Sequence, residues 1–248
     1  MKVEPRYVKQ SHHSFRRSKV RTKSSKELQK ELGIPTSDQI TGIEIRLSRV
    51  YIKNNKTPKI GPFPGYAKVY FICLIASDVA NQTPKLEIKA FPKIDDNEEL
   101  PIDKTVYFWK QTKKNTTPPS QIHVFSSIVK SKKSLRDVGK IMTEVKKDKE
   151  YKSVLKTIAG AVSGATAAGA LVDQVTNLAS IVGRFLGKVE DRPLISILQS
   201  YTDINGDFDS LGKVRKEFPN RYATIGLSIT IRDKVREDII AEALDLDS

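Results

Sequence analysis

The sequence predicts a mainly β protein: an antiparallel β-sandwich with a helical insertion at about residues 134–188. Short runs that alternate apolar and polar residues recur before residue 130 and again after residue 193, with turn residues between them. Between these two groups the apolar period changes from two residues to about 3.6. A length of 248 residues with 38% hydrophobic content is sufficient for one large core.

These patterns divide the chain into five parts. The expected parts are a basic arm with a short helix (1–37), the first part of the sandwich (38–130), the helical insertion (131–190), the remainder of the sandwich (191–234) and an acidic tail (235–248). The first twenty residues are charged and have no apolar run, so they do not form a secretory signal. We therefore expect a cytoplasmic or virion-internal protein that does not span a membrane.

The strands follow from the period of two. The first, at 41–53, changes its apolar parity after Leu47, which indicates a bulge. The next, at 69–76, is apolar throughout and is expected to be buried on both faces. Further strands are predicted at 86–90, 106–109, 122–128, 194–200 and 222–232, and the last of these has the clearest alternation.

The insertion has helical periodicity. A capping motif at Ser134 opens an amphipathic stretch that reaches about residue 150. A second helix is expected to begin near Tyr151. It contains the uncharged run 157–172, in which Gly160 and Gly164 form a pair of small residues that allows close helix packing. Sixteen such residues are too few to span a bilayer. A third helix is predicted from the apolar stripe at 175–186.

The net charge of +14 is distributed unevenly. Residues 1–32 hold ten Lys and Arg against three Glu, and residues 237–248 hold five acids and no base. Such an arm suits nucleic acid, an acidic protein face or lipid headgroups, and a solubilising terminus is the alternative. The tail is expected to dock on a basic surface. The candidate anion-binding residues are Arg6, Lys9, Arg16, Arg17, Lys19, Arg21, Lys23, Lys130, Lys132 and Lys133.

The sequence offers few groups for catalysis. Cys73 lies inside an apolar run, where a buried small side chain is expected. His123 has the strand parity opposite to its apolar neighbours, so a solvent-facing position is expected. The chain has no Walker loop, no dinucleotide-binding glycine motif and no nucleophile elbow. We therefore expect a binding or structural protein that is not an enzyme.

An acidic loop follows the strand at 194–200. Asp203, Asp207 and Asp209 fall within it, and carboxylates so close require solvent, a basic partner or a hard cation. An EF-hand does not fit, because Phe208 stands where glycine is needed and Val214 where glutamate is needed. A solvated Asn-Gly-Asp turn is the alternative.

Two stretches of the chain resemble the C-two domain, a calcium- and phospholipid-binding β-sandwich. In the third-loop segment of that family an Asp-x-Asp pair ends a strand, and a later Asp precedes a Leu-Gly turn. Here Tyr201, Asp203, Asp209 and Leu211-Gly212 stand at those places, and the match covers about 194–232.

A weaker match covers about 71–91. A strand ends there at Asp78, and Thr83 precedes a proline where the family has Asp. The resemblance implies a metal site of Asp78, Asp203 and Asp209, with Asp207 as a substitute ligand. Because two of the family's carboxylates are replaced, we expect no cofactor, or calcium bound weakly at millimolar levels.

Three functions remain open from the sequence. The first is a non-enzymatic binding module that docks on lipid headgroups or an acidic partner. The second is a structural protein of a virion or other large particle, a homo-oligomer or larger assembly, whose basic arm contacts nucleic acid. The third is an effector that inserts its Ala/Gly-rich helices into a membrane.

Overall fold

The computed structural model describes residues 27, 30–33, 36, 37, 39–61, 65–79, 82–114, 116–131, 135–161, 168–186 and 192–234. In this part of the chain two antiparallel sheets and a group of helices form three layers. The strands are β1 (Ile40–Ile52), β2 (Ala67–Ser77), β3 (Lys85–Ile94), β4 (Glu98–Glu99), β5 (Lys104–Lys110), β6 (Gln121–Ser131), β7 (Arg192–Thr202), β8 (Gly212–Pro219) and β9 (Ala223–Asp233). The helices are α1 (Val138–Lys147), α2 (Lys149–Ala161) and α3 (Ala168–Leu186).

The two sheets pack face to face. In the five-stranded sheet, β4 and β5 pair with different parts of β1, and β9 and β8 follow on its other side. The four-stranded sheet has the order β3-β2-β6-β7. Apolar side chains of both inner faces, including Ile45, Trp109, Val124 and Leu227, form the main core. The predicted β-sandwich with a helical insertion is confirmed.

Strand β2 is buried on both faces, as its continuous apolar run predicts. Phe71 and Cys73 point into the core between the sheets, whereas Tyr70, Ile72 and Leu74 contribute to a second core against the helices. Full burial of a large apolar side chain contributes about 1.5–3 kcal/mol to stability. Because β2 buries such side chains on both faces, it packs against the other sheet on one side and against the helices on the other.

The phase change in β1 is a bulge. The register between β1 and β9 shifts between Leu47 and Arg49, so the residues before and after this point keep their apolar side chains in the same core. The prediction of a bulge at this position is confirmed.

The helical layer differs from its prediction at the helix ends. Asp137 caps α1, because its carboxylate accepts a hydrogen bond from the Lys140 amide (2.7 Å). Asp148 then ends α1, and its side chain accepts from the Tyr151 amide (2.8 Å) in the first turn of α2. The predicted cap at Ser134 and the predicted packing at Gly164 lie outside the described residues. Among the helices that the structure describes, none has the length and apolar character needed to cross a bilayer.

The two ends of the sandwich carry different loops. At one end, the Ser37 amide donates to the Asp209 carbonyl (2.8 Å) and the Lys234 amide to the Gln39 carbonyl (3.1 Å). We call this the terminal end, because both terminal segments join the sandwich here. Ala67 pairs with Ile94 at the other end, called the far end, so the acidic loop at 95–99 lies there.

Candidate anion-binding face and predicted metal site

The structure brings Asp78 close to the acidic loop at 203–209, which lies at the terminal end. The Asp78 carboxylate accepts hydrogen bonds from the Ser120 amide (3.1 Å), the Gln121 amide (3.2 Å) and the Ser120 hydroxyl. The Asp203 amide donates to the Ser120 carbonyl (2.9 Å). Asp78 and Asp203 therefore flank Ser120, but the carboxylate of Asp78 already holds the segment that leads into β6.

Of the other predicted ligands, Asp203 has an exposed side chain, whereas Asp207 is hydrogen-bonded and Asp209 is buried. Asp207 accepts from the Thr202 amide (3.0 Å) and from the Lys216 ammonium (3.3 Å). Asp209 is 7% exposed. In the described part of the chain, no group of three or more His, Cys, Asp or Glu side chains could hold a metal ion. The structure thus gives Asp78 and Asp207 structural roles within their loops.

His123 and Cys73 are both buried. The prediction of a solvent-facing His123 is wrong, because the residue lies on the face of β6 that packs toward the helices and is 0% exposed. Its ring nitrogens lie 2.8 Å from the Ser200 hydroxyl and 3.0 Å from Gln121 Oε1, and burial lowers the pKa of His123. Cys73 is buried as predicted, and burial raises the pKa of its thiol to about 12.

Of the predicted anion-binding residues, Lys130 alone lies in the described part of the chain. The residues named in the arm, together with Lys132 and Lys133, lie outside that part. Lys130 lies at the far end, about 30 Å from Gln121 at the terminal end, at about 3.3 Å per residue along β6. Its ammonium donates to the Lys56 carbonyl (2.8 Å) and the Thr57 hydroxyl (2.7 Å), so Lys130 holds a loop in place.

Asn55 closes the base of that loop. The side chain is 0% exposed and donates to the carbonyls of Gly65 (2.7 Å) and Ile94 (2.9 Å). It also accepts from the Thr57 amide (2.7 Å). The loop between β1 and β2 therefore has a fixed base.

The outer face of the five-stranded sheet presents exposed bases. The helices pack on the other sheet, and the outward positions of β5, β8 and β9 carry Lys110, Lys213, Arg215 and Arg232. We call these four residues the basic sheet face. All four are exposed, and none forms an ion pair with a described residue.

The same face also contains paired charges. Arg46 forms an ion pair with Asp103 (2.6 Å), and Arg49 lies 3.6 Å from Glu99 and 3.5 Å from Glu217. Hydrogen bonds from Arg46 lower the pKa of Asp103, and the positive charges of Lys213 and Arg215 lower it further. The positive charge of the basic sheet face therefore acts on the neighbouring Asp103 carboxylate.

A shallow cleft of about 150 Å³ lies within this face. The strand register places Gly42 directly between Lys110 on β5 and Arg232 on β9. Because glycine has no side chain, a gap remains between the two cations. Phe108, which is 56% exposed, lines the cleft beside them.

Sequence reasoning missed the basic sheet face because its residues come from three separate strands, and Lys110 lies more than 100 residues before Lys213 in the chain. The only available signal was the outward parity of the bases on strands whose inward positions are apolar. No protein-family model matches the chain, and no curated protein matches it.

Proposed function

We propose that this protein is a non-enzymatic binding module that docks on an anionic lipid surface through its basic sheet face. The observation that carries the proposal is the set of four exposed cations on one sheet face without ion-pair partners among the described residues. Such cations are attracted to anionic headgroups by about 1 kcal/mol each near the surface.

The arrangement of the face favours a headgroup layer over a compact ligand. The four bases are spread over three strands, and neighbouring strands lie about 4.7–4.9 Å apart. A membrane offers many phosphates in one plane, so several bases can find partners at once. Phe108 can enter the headgroup layer beside Lys110 and Arg232, as aromatic side chains do at interfaces.

The basic arm supports the proposal. The basic arm joins β1 at the terminal end, the same end of the sheet that carries Lys110, Lys213 and Arg232. Its ten bases would therefore add to the attraction at that end. The resemblance to C-two domains agrees with a phospholipid partner and with a module that has no catalytic site.

Vesicle co-sedimentation tests the proposal. The variant Lys110→Gln/Lys213→Gln/Arg215→Gln/Arg232→Gln should lose up to about 10³-fold in affinity for phosphatidylserine vesicles at low salt, at about 1 kcal/mol per base. The matched control neutralises four exposed lysines of the helical layer, Lys140, Lys146, Lys152 and Lys156, and should lose less than about tenfold.

The same experiment distinguishes the lipid-docking module from a structural protein whose basic arm contacts nucleic acid. Single-stranded DNA replaces the vesicles in a second arm of the experiment, at the same salt concentrations. Equal vesicle binding by the two quadruple variants would refute a specific role of the face. If DNA binding is strong and vesicle binding is absent, the structural protein with a nucleic-acid-contacting arm replaces the lipid-docking module.

A further inference from the structure

A second cleft, of about 320 Å³, opens between the two sheets. It lies where β3 forms the edge of one sheet and β5 the edge of the other. Polar groups of Ser77, Gln82, Thr83, Lys85 and Tyr107 line it together with apolar atoms. Ligand pockets typically begin at about 300 Å³ and combine apolar walls with a few placed polar groups.

Lys85 places a positive charge at this cleft. It pairs directly with Ile75 in the register of β2 and β3, and cross-strand partners share one face of a sheet. Ile75 belongs to the core between the sheets, so Lys85 lies on the face that looks toward the five-stranded sheet. Lys85 is exposed and forms no ion pair with a described residue.

Tyr107 contributes a buried hydroxyl. The residue is 4% exposed, and its hydroxyl has no hydrogen-bond partner in the part of the chain that the structure describes. Burial raises the pKa of Tyr107 to about 12; the neighbouring Ser77 hydroxyl opposes this rise but donates its own hydrogen bond to Gln82 (3.1 Å). Tyr107 therefore stays protonated at neutral pH and has a proton to donate.

An unsatisfied buried hydroxyl is unfavourable, so an acceptor that enters the cleft would be stabilised by Tyr107. An anionic acceptor would also pair with Lys85, and hydrogen bonds that involve a charge are the stronger kind. The two donors come from different sheets, so only a ligand inside the cleft meets both.

We propose that this cleft binds a small organic monocarboxylate, whose carboxylate accepts from the Tyr107 hydroxyl and pairs with the Lys85 ammonium. A single negative charge fits, because Lys85 is the one ionised residue of the lining and the Asp78 carboxylate lies near Tyr107. A dianion would meet only one cation. The cleft volume equals that of about ten water molecules at about 30 Å³ each, which is enough for a ligand of about that many non-hydrogen atoms.

The test uses the full chain and sodium benzoate as the probe, with sodium chloride keeping the ionic strength constant. We expect a saturable rise in the thermal unfolding midpoint with a millimolar dissociation constant. Tyr107→Phe and Lys85→Met should each weaken benzoate binding at least about tenfold, as expected for a hydrogen bond to a charged group. Lys68→Met, on an exposed lysine near the start of β2, is the matched control and should bind as the wild type does.

Thermal unfolding without benzoate provides a second test. Without benzoate, Tyr107→Phe should unfold at the same or a higher temperature than the wild type, because the hydroxyl it removes has no partner. A lower midpoint would show that the hydroxyl is already bonded and would overturn the proposal. The absence of a saturable effect of benzoate on the wild type, or equal effects on all variants, would also overturn it. Tighter binding of inorganic phosphate would overturn the choice of a monocarboxylate.

Discussion

Replacement of Asp78 tests whether its carboxylate is a metal ligand or a structural hydrogen-bond acceptor. Asp78→Ala removes the acceptor of hydrogen bonds from the amides of Ser120 and Gln121 and from the Ser120 hydroxyl. Asp203→Ala is the matched control, because the Asp203 side chain is exposed in the same region and its structural hydrogen bond comes from its backbone amide.

The structure sets the expected size of the effect. Hydrogen bonds to a charged group contribute about 1.5–3 kcal/mol each when they are shielded from water. Asp78 is only partly buried, and water can replace some of these bonds, so we expect a total loss of about 2 kcal/mol. For a chain of this size that loss corresponds to a fall of about 4–8 °C in the unfolding midpoint. Asp203→Ala should change the stability by less than about 0.5 kcal/mol.

Urea unfolding in EDTA and in 1 mM calcium distinguishes the two roles. A structural Asp78 predicts the same loss of stability in both buffers and no calcium isotherm at micromolar levels for the wild type. The reasoning would be refuted if calcium stabilised the wild type strongly and both variants lost that stabilisation equally. A calcium-independent effect below about 0.5 kcal/mol for Asp78→Ala would also refute it.

Three further predictions test the stability of the fold and the roles of the termini. Asn55→Ala should cost about 2–4 kcal/mol in urea unfolding, because two buried hydrogen bonds and one partly buried hydrogen bond lose their partner; Lys59→Ala, on the exposed part of the same loop, is the control. Burial lowers the pKa of His123, so the unfolded chain takes up a proton near pH 6.5 that the folded protein does not. Stability should therefore fall below about pH 6.5, and this fall should be smaller in His123→Asn. Deletion of residues 1–23 should weaken binding to phosphatidylserine vesicles and flatten its salt dependence, whereas deletion of residues 237–248 should strengthen binding if the acidic tail competes for the basic sheet face.

The strands could be predicted from the sequence wherever burial imposes a regular pattern. The run around Cys73 is apolar on both parities because the sheets and the helices enclose β2 from both sides. The parity change after Leu47 appears in the sequence because the bulge keeps one face of β1 in the core. Such patterns are local, so they are readable without knowledge of the fold.

Features that depend on packing between distant segments could not be predicted. His123 has the parity of an outward residue, but the outward face of its sheet carries the helices. Lys130 looks like a free cation in the sequence, but its ammonium bonds to Lys56 and Thr57 on a loop more than 70 residues away. In both cases the partner comes from another part of the chain.

Tyr201 shows why we assign binding to the bases rather than to the carboxylates. It stands where the C-two pattern has a carboxylate, but it is 1% exposed and packs in the core between the sheets. Burial raises the pKa of its phenol, which therefore remains neutral and is a poor ligand for a hard cation. Lys216 lies over its ring and binds Asp207, so a base already neutralises the nearest carboxylate of the loop. Among the acids of this end, the carboxylates of Asp78 and Asp207 are thus held by protein donors and Asp209 is buried. The four bases on the outer face have no ion-pair partner among the described residues and remain available to an anionic surface.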